Sequence, residues 1–240
     1  MHSKLAHKDR GEKIAGIVET CVLVGVLVIL VLCAVFSFEQ TLVVTLVVVL
    51  ACIAFFFIGF DRRNPRPRDF MPIAVLAALA AAGRILFAPF PSFKPVSAIA
   101  IIAGAAFGRR SGFMVGALAA LVSNFFFGQG MWSPWQMYAW GLIGYIGGVL
   151  AERGLFDHEA VLLIYGGLSG LLFGFILNSW SIVGFFHPQT VLEFFAVYAA
   201  ALPFDLIHGA ATVIFLKLLY GWWMPKLDRI KRKYALMDGE

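Results

Sequence analysis

The chain has 240 residues, of which 61% are hydrophobic and only 14% are charged, and its mean hydropathy is +0.87. So apolar a composition excludes a water-soluble globular domain and indicates an integral membrane protein. The 19 Lys and Arg outnumber the 14 Asp and Glu, giving a formal net charge of +5, but the long apolar runs and 24 Phe argue against a nucleic-acid-binding protein.

The apolar runs predict eight transmembrane helices. A helix that crosses the roughly 30 Å hydrocarbon core needs about 20 mostly apolar residues. The predicted spans are 14–36, 41–60, 71–88, 95–107, 112–127, 135–151, 160–182 and 191–220. The fourth, fifth and sixth of these are short and rich in Gly and Ala, so we expect them to be buried in protein rather than to face lipid.

The basic residues predict how the spans are oriented, because cytoplasmic loops collect Lys and Arg whereas translocated loops do not. When the N-terminus is placed in the cytoplasm and the side alternates after each span, nearly all of the 19 Lys and Arg fall in inner segments. Lys94 is then the only basic residue in an outer loop. We therefore expect a multi-pass protein of the cell membrane with both termini in the cytoplasm.

Composition divides the chain into two parts. The first two spans consist mainly of Val, Leu and Phe, and they end at a basic, proline-containing linker, 61–69. From residue 71 onward the chain is rich in Ala and Gly, and polar residues begin. We predict that 1–70 is an accessory transmembrane hairpin with its linker, and that 71–240 is a six-helix functional core with a basic cytoplasmic tail. The 3 Cys fall inside apolar runs, which favours neither a disulfide framework nor a metal site.

Aromatic and amide side chains converge where the fifth span leads into the sixth, and they predict a ligand pocket open to the exterior. Aromatic faces stack on a flat ring, and amides bond to its edges. An interfacial belt of Trp and Tyr is the alternative interpretation. The expected substrate-binding residues here are Asn124, Gln129, Trp132, Trp135 and Gln136, joined by Asn178, Trp180 and His187 from the next outer loop.

Four ionisable residues of interest lie inside predicted spans or beside them. Arg84 and Lys94 flank the first outer loop of the core, where we expect them to contact substrate, although Arg84 is also near enough to the helix end to snorkel. Asp205 lies near the middle of the last span, with His208 three residues later on the same helical face. This pair suggests a proton or substrate role, or a local Asp–His pair, or an Asp bonded to backbone freed by Pro203.

The sequence can also be compared with the patterns of three other chemistries. Gly167-Leu-Ser-Gly170 matches the Gly-x-Ser-Gly pattern of intramembrane serine proteases, and Ser169 and His208 lie at comparable depth, so a Ser–His dyad is an alternative. No Gly-x4-Gly-Lys-Ser/Thr sequence occurs, so the chain does not hydrolyse ATP by a P-loop mechanism. We therefore expect it not to be an enzyme. A proton-coupled carrier that uses Asp205 is a further alternative, weakened by the lack of a convincing inverted repeat.

A stripe of small residues marks the third span. Ala74, Ala78 and Ala82 fall at i, i+4 and i+8, which allows close approach of another helix. Gly112 and Gly116 form a similar, shorter stripe. From spacing alone, packing against a neighbour within the same chain is favoured over contact with a partner.

Segments 93–104, 112–130 and 135–144 resemble the substrate-binding S components of energy-coupling factor (ECF) vitamin transporters, most specifically in Asn-Phe-Phe-Phe-Gly-Gln-Gly at 124–130. The likeness covers about 71–220 and weakens toward its end. It implies a six-helix membrane receptor that captures a vitamin at the outer face. Such a receptor then joins one transmembrane coupling protein and two cytoplasmic ATPases, and topples in the membrane to release substrate inside.

The resemblance also implies roles for particular residues. The small-residue stripe on the family's first helix contacts the coupling protein, and it falls here on Ala74, Ala78 and Ala82. The added hairpin departs from the six-helix plan and is shared with a subset of the family, for which cobalamin is the first expected ligand. Riboflavin or another flat heterocycle is the alternative. No permanently bound cofactor and no nucleic-acid partner are expected.

Overall fold

The structure is a computed structural model that describes residues 16–29, 32, 41–61 and 66–237. The basic N-terminal segment, most of the second half of the first predicted span, the turn after it, Cys33 and residues 62–65 of the linker lie outside the described residues. The described helices are α1 (Gly16–Ile29), α2 (Thr41–Asp61), α3 (Pro67–Leu86), α4 (Val96–Phe107), α5 (Arg109–Phe127), α6 (Ser133–Glu152), α7 (Glu159–Ser181) and α8 (Val191–Lys233). A 3₁₀ turn, Leu155–Asp157, precedes α7, and a π-helical turn, Ile182–Phe186, follows it.

The described chain is all-helical, and four of its helical segments are long and apolar enough to cross a membrane. These segments are Pro67–Leu86, Arg109–Phe127, Glu159–Phe186 and Val191–Lys233. Each exceeds the 18 residues that make a crossing feasible. The helices therefore indicate a membrane protein, as the composition predicts.

Helix α4 lies at the centre of the bundle. It has 12 residues, and all of them except Ala105 are buried. It contacts α3, α5, α6 and α8, so its backbone and side chains are covered by protein on all sides. A helix of this length spans only about 18 Å. Its burial agrees with the expectation that the short, Ala-rich segments do not face lipid.

Glycines bring the backbones of α4, α5 and α6 into direct contact. A Cβ placed on Gly144 of α6 would lie 2.2 Å from the carbonyl oxygen of Gly112, and one on Gly116 would lie 2.2 Å from the carbonyl oxygen of Trp140. A Cβ on Gly104 of α4 would lie 2.3 Å from the carbonyl oxygen of Gly144. The Gly112 and Gly116 stripe therefore packs within the chain, where only glycine permits this approach.

The N-terminal hairpin packs on one face of α5 and α6. Leu23 and Phe56 of the hairpin belong to a buried cluster with Phe113 and Tyr138 of the core. The rings of Phe56 and Phe113 stack with centroids 4.2 Å apart, and the Tyr138 hydroxyl donates to the carbonyl oxygen of Leu23 at 2.9 Å. The described hairpin is thus attached to the core through buried contacts.

A buried carboxylate ties α1 to the start of α5. Glu19 is 2% exposed, and its carboxylate accepts from Arg110 Nε at 2.5 Å and also pairs with Arg110 Nη2. Arg109 Nε lies 3.4 Å from the same carboxylate, and the Tyr145 hydroxyl donates to it at 3.1 Å. Arg110 Nη1 donates to the carbonyl oxygen of Gly59 at 2.8 Å, which adds α2. Arg109 and Arg110 stand out in the sequence as adjacent basic residues, but nothing in the sequence singled out Glu19.

We expect Glu19→Gln to lower the free energy of unfolding by about 2–4 kcal/mol, because it leaves two arginines beside a neutral side chain in a buried place. The measurement is the unfolding midpoint of the purified chain in neutral detergent. The matched control is Glu152→Gln, since Glu152 also pairs with Arg109, at 3.7 Å, but is 43% exposed. Its loss should change stability by about 0.5 kcal/mol or less. Equal effects of the two substitutions would show that Glu19 does not anchor the hairpin.

Candidate functional site

Arg84 occupies the last turn of α3 and reaches into the space between α5 and α6. Its Nη1 donates to Ser123 Oγ and to Asn124 Oδ1, both at 2.6 Å. Its Cζ lies 4.6 Å from the ring centroid of Phe127 and 4.9 Å from that of Trp140, so two aromatic rings hold the guanidinium as well. These contacts show a cation on α3 that is held by protein groups from two other helices, α5 and α6.

Asn124 is the junction of this arrangement. Its side chain is fully buried, and while its oxygen accepts from Arg84, its nitrogen donates to Ser133 Oγ at 3.1 Å and to Gln136 Oε1 at 2.9 Å. Ser133 Oγ also accepts from the backbone nitrogen of Gly130 at 3.1 Å, which fixes the loop between α5 and α6. We call Arg84, Ser123, Asn124, Ser133 and Gln136 the polar cluster.

A row of rings continues from the polar cluster across the bundle. The Trp140 and Phe173 centroids are 4.7 Å apart, and those of Phe173 and His208 are also 4.7 Å apart. His208 Nε2 lies 2.8 Å from Ser97 Oγ at the start of α4, and both residues are buried. We call Trp140, Phe173 and His208 the aromatic row. It links the C-terminal end of α3 to α6, α7, α8 and α4.

Asp205 and Asn178 form a second polar pair on α8 and α7. Asn178 Nδ2 lies 3.5 Å from Asp205 Oδ2. The carboxylate packs directly over Gly174, where a Cβ would lie 2.0 Å from Asp205 Cγ. The local Asp205–His208 pair considered from the sequence is not formed within the described residues, since Asp205 faces Asn178 while His208 faces Ser97.

The two expected outer loops meet through tryptophans. The ring centroids of Trp132 and Trp180 are 6.2 Å apart in an edge-to-face arrangement, and Phe185 packs on Trp180 with a centroid distance of 5.1 Å. Trp132 is exposed, and so are the neighbouring phenylalanines 125–127. Within the predicted set, the structure therefore joins Arg84, Asn124 and Gln136 in one cluster and Trp132 with Trp180 in another contact, while Asn178 pairs with Asp205.

The remaining predicted residues have other surroundings. Trp135 is fully buried in the cluster that packs against the hairpin. Gln129 is exposed, and its Nε2 donates to the carbonyl oxygen of Leu121 at 2.9 Å. His187 is exposed with a left-handed φ of 39°, and its carbonyl oxygen accepts from Gln189 Nε2 at 2.9 Å. These contacts give Gln129 and His187 local roles in shaping the loops.

Lys94 organises the turn between α3 and α4. Its Nζ donates to the carbonyl oxygens of Phe87, of Ala88 at 3.2 Å and of Phe90 at 2.7 Å. Burial lowers the pKa of the Lys94 amine, and the positive charge of Arg84 lowers this pKa further. Both positive charges therefore lie in the same region, although the hydrogen bonds of Lys94 all go to backbone carbonyl oxygens.

Three tryptophans carry buried indole N–H donors that are unpaired among the described residues. The indole Nε1 atoms of Trp135, Trp140 and Trp180 have no hydrogen-bond acceptor within the residues that the structure describes. Buried polar atoms are nearly always paired in proteins, so each such donor requires an explanation. The donor on Trp140 belongs to the aromatic row, whereas Trp135 and Trp180 lie in or against the buried cluster that includes the hairpin.

Sequence reasoning did not identify several residues of this region. Ser123 and Ser133 belong to the polar cluster, Phe173 to the aromatic row, and Ser97 partners His208. Ser123 had a signal, since it directly precedes Asn124 on the same helical turn. Sequence spacing does not show which way the other three side chains point, because it does not determine how each helix is rotated about its own axis. No cluster of His, Cys, Asp or Glu able to hold a metal occurs within the ranges described.

The alternative dyad and the alanine stripe have definite positions as well. Ser169 Oγ donates to the carbonyl oxygen of Gly166 at 2.7 Å, while His208 pairs with Ser97. Ala74, Ala78 and Ala82 are all exposed on α3, whereas the neighbouring Ala77, Ala80 and Ala81 are at most 3% exposed. Packing of the stripe within the chain, which the spacing favoured, is therefore not seen in the described residues.

Comparison with known proteins identifies a family. The model of DUF6580, described as a family of unknown function, matches residues 64–233. No curated protein and no solved structure matches the chain. The matched region begins just before α3 and ends with α8, so it contains the polar cluster and the aromatic row but not the hairpin.

We expect Asn124→Leu to lower the free energy of unfolding by about 2–3 kcal/mol, because at a buried junction it removes one of the two acceptors of Arg84 and the donor to Gln136. Thermal unfolding of the purified chain in neutral detergent measures this loss. Gln129→Leu is the control, since it changes an amide in the same loop region that is exposed, and it should alter stability by about 0.5 kcal/mol or less. If both variants unfold at the wild-type temperature, Asn124 does not hold the helix ends together.

Proposed function

The chain belongs to the DUF6580 family, and we propose that it is the substrate-binding S component of an ECF-type vitamin importer. The observation that carries the proposal is the polar cluster around Arg84 and Asn124, which joins the C-terminal ends of α3 and α5 to the start of α6. The aromatic row extends this cluster between helices. Convergent polar groups beside aromatic faces are typical of small-molecule sites.

The proposed topology has eight spans and both termini in the cytoplasm. It places the polar cluster, the Trp132–Trp180 pair and the loop held by Lys94 at the outer face, while Arg109, Arg110 and the end of α8 lie inside. In this orientation a vitamin enters from the exterior between the loops that join α3 to α4, α5 to α6 and α7 to α8. The basic residues of the described ends agree with the positive-inside rule.

The exposed alanines on α3 support a partner for the chain. Three small side chains along one helical face offer a shallow surface on which another helix can approach closely. In the proposal, Ala74, Ala78 and Ala82 contact the transmembrane coupling protein, and two cytoplasmic ATPases supply the ATP hydrolysis for which the sequence has no P-loop. The vitamin we favour is cobalamin, and riboflavin or a similar flat heterocycle is the alternative.

Two other functions have weaker support. For a serine protease, the expected nucleophile Ser169 donates to backbone, and His208 pairs with Ser97 instead. For a proton-coupled carrier, Asp205 has the Asn178 amide as its neighbour. Labelling of Ser169 by a fluorophosphonate would favour the first. Transport by the purified chain alone, driven by a proton gradient and lost in Asp205→Asn, would favour the second.

The direct experiment is to purify the full chain from cells grown in rich medium and to identify copurifying small molecules by mass spectrometry. The proposal expects a vitamin in near-stoichiometric amount, and a corrinoid would give a red preparation. A chain that carries no small molecule and binds no vitamin in isothermal titration would contradict it.

Ala78→Trp separates binding from transport. A bulky ring in the middle of the stripe should abolish uptake in cells that contain the coupling protein and ATPases, because the partner helix no longer fits. Vitamin binding by the purified variant should stay within about twofold of wild type, since surface changes away from a site act weakly.

The matched control for this substitution is Ala210→Trp, an exposed alanine on α8. It should preserve both uptake and binding. Loss of binding in Ala78→Trp with an unchanged unfolding temperature would contradict the division between a binding end and a docking face on α3.

A further inference from the structure

Some of the N–H donors of the Arg84 guanidinium have no hydrogen-bond acceptor among the described residues. A guanidinium carries five N–H donors in a planar fork. Both hydrogen bonds of Arg84, to Ser123 Oγ and to Asn124 Oδ1, come from Nη1. Within the described residues no acceptor pairs with Nε or Nη2, which leaves a two-donor edge of the fork open. Parallel bonds from two such donors are how arginine commonly grips a carboxylate or phosphate.

No carboxylate balances the charge of Arg84 in the part of the chain that the structure describes. The ion pairs found there join Glu19 and Glu152 to Arg109 and Arg110, which begin α5 at its opposite end. Asp205 pairs with Asn178 instead of Arg84. An ionised side chain within a transmembrane helix is costly unless it finds an opposite charge or water. The position therefore favours an anion supplied from outside the chain.

The surroundings favour an anion as well. Phe127 and Trp140 contact the guanidinium through their rings, and ring contacts of this kind leave its N–H groups available for hydrogen bonds. Lys94 adds a second positive charge close enough for Arg84 to lower its pKa, and its amine bonds to neutral carbonyls only. The indole N–H of Trp140 is a further donor without a partner among the described residues.

We propose that Arg84 is an anion subsite, which binds a carboxylate or phosphate group of a small soluble ligand through Nε and Nη2. As a statement about the transported substrate this rests on the proposed function, whereas the subsite itself is testable without transport. It favours a vitamin with an acidic group, such as the phosphodiester of cobalamin, over neutral riboflavin. Trp140 and Phe127 then provide the apolar wall beside that group.

The test uses the purified full chain in neutral detergent, with arginine labelled by ¹⁵N. Sodium benzoate and inorganic phosphate are the anionic probes, and benzamide is the neutral isostere of benzoate, all titrated at constant ionic strength. The Nε–H signal of Arg84, assigned by its disappearance in Arg84→Lys, should shift saturably with benzoate or phosphate and stay in place with benzamide. If neither anion moves the signal in the wild-type chain, the proposal is wrong.

The variants test the fork rather than the charge. Arg84→Lys keeps a cation but loses the planar pair of donors, so benzoate affinity, measured by the shift in unfolding temperature, should fall about 10- to 100-fold. Arg153→Lys is the control, because Arg153 is an exposed arginine at the far end of α6. The benzoate affinity of this variant should equal that of the wild-type chain. Unchanged affinity in Arg84→Lys would overturn the bidentate assignment.

Two further arms separate the source of the anion and the function. A shift of the Arg84 signal in phosphatidylglycerol nanodiscs but not in phosphatidylcholine nanodiscs, with no response to benzoate or phosphate, would assign the anion to a lipid headgroup and overturn the proposal. Anion binding in a chain that supports no vitamin uptake would keep the subsite and contradict the transport function. Uptake of a neutral vitamin by a chain that binds no anion would support the transport function and contradict the anion subsite.

Discussion

A guanidinium held among apolar helices is the constraint on which this end of the molecule depends. Arg84 projects from the last turn of α3, so the helices beside it must supply acceptors. Asn124 does so with its oxygen, and this orientation of the amide leaves its nitrogen to donate to Ser133 and Gln136. One charged side chain thereby determines how α3, α5 and α6 meet and where the loop between α5 and α6 begins.

The polar cluster is possible only because α5 and α6 approach each other at backbone distance. Gly116 of α5 packs against the carbonyl of Trp140, and Gly112 packs against that of Gly144. A larger residue at either glycine would separate the helices and withdraw Trp140 and Gln136 from Arg84 and Asn124. The packing in the middle of the bundle is therefore what positions the groups that form hydrogen bonds at its end.

The sequence predicted the order of the helices and the short, buried α4 well, because apolar length and Gly or Ala content report these properties directly. The expectation that the next two helices are also short is wrong, since α5 has 19 residues and α6 has 20. It also named Arg84, Asn124 and Gln136 among the expected binding residues, and the structure joins these three by hydrogen bonds. The sequence could not show that Trp135 and Gln136 face different partners. Adjacent residues on a helix point about 100° apart, and which helix each one meets depends on how the bundle is packed. Trp135, Tyr138 and Tyr145 face the hairpin, whereas Gln136 contacts Asn124 and Trp140 contacts Arg84. Glu19 was missed for another reason: its partner Arg110 lies 91 residues further along the chain, and Tyr145 lies 126 residues further.

The two faces of α6 bear on the role of the hairpin. Because α1 and α2 contact the face that carries Tyr138 and Tyr145, they lie against the opposite side of α6 from the polar cluster. The hairpin therefore supports α6 from behind rather than lining the candidate site. Helix α3 differs, since Arg84 at its end belongs to the polar cluster while Ala74 and Ala78 along its length are exposed. In the proposed importer, one rigid helix thus carries both the group that meets the ligand and the surface that meets the partner, and a change in how Arg84 is held is transmitted to the alanine face without any intervening loop.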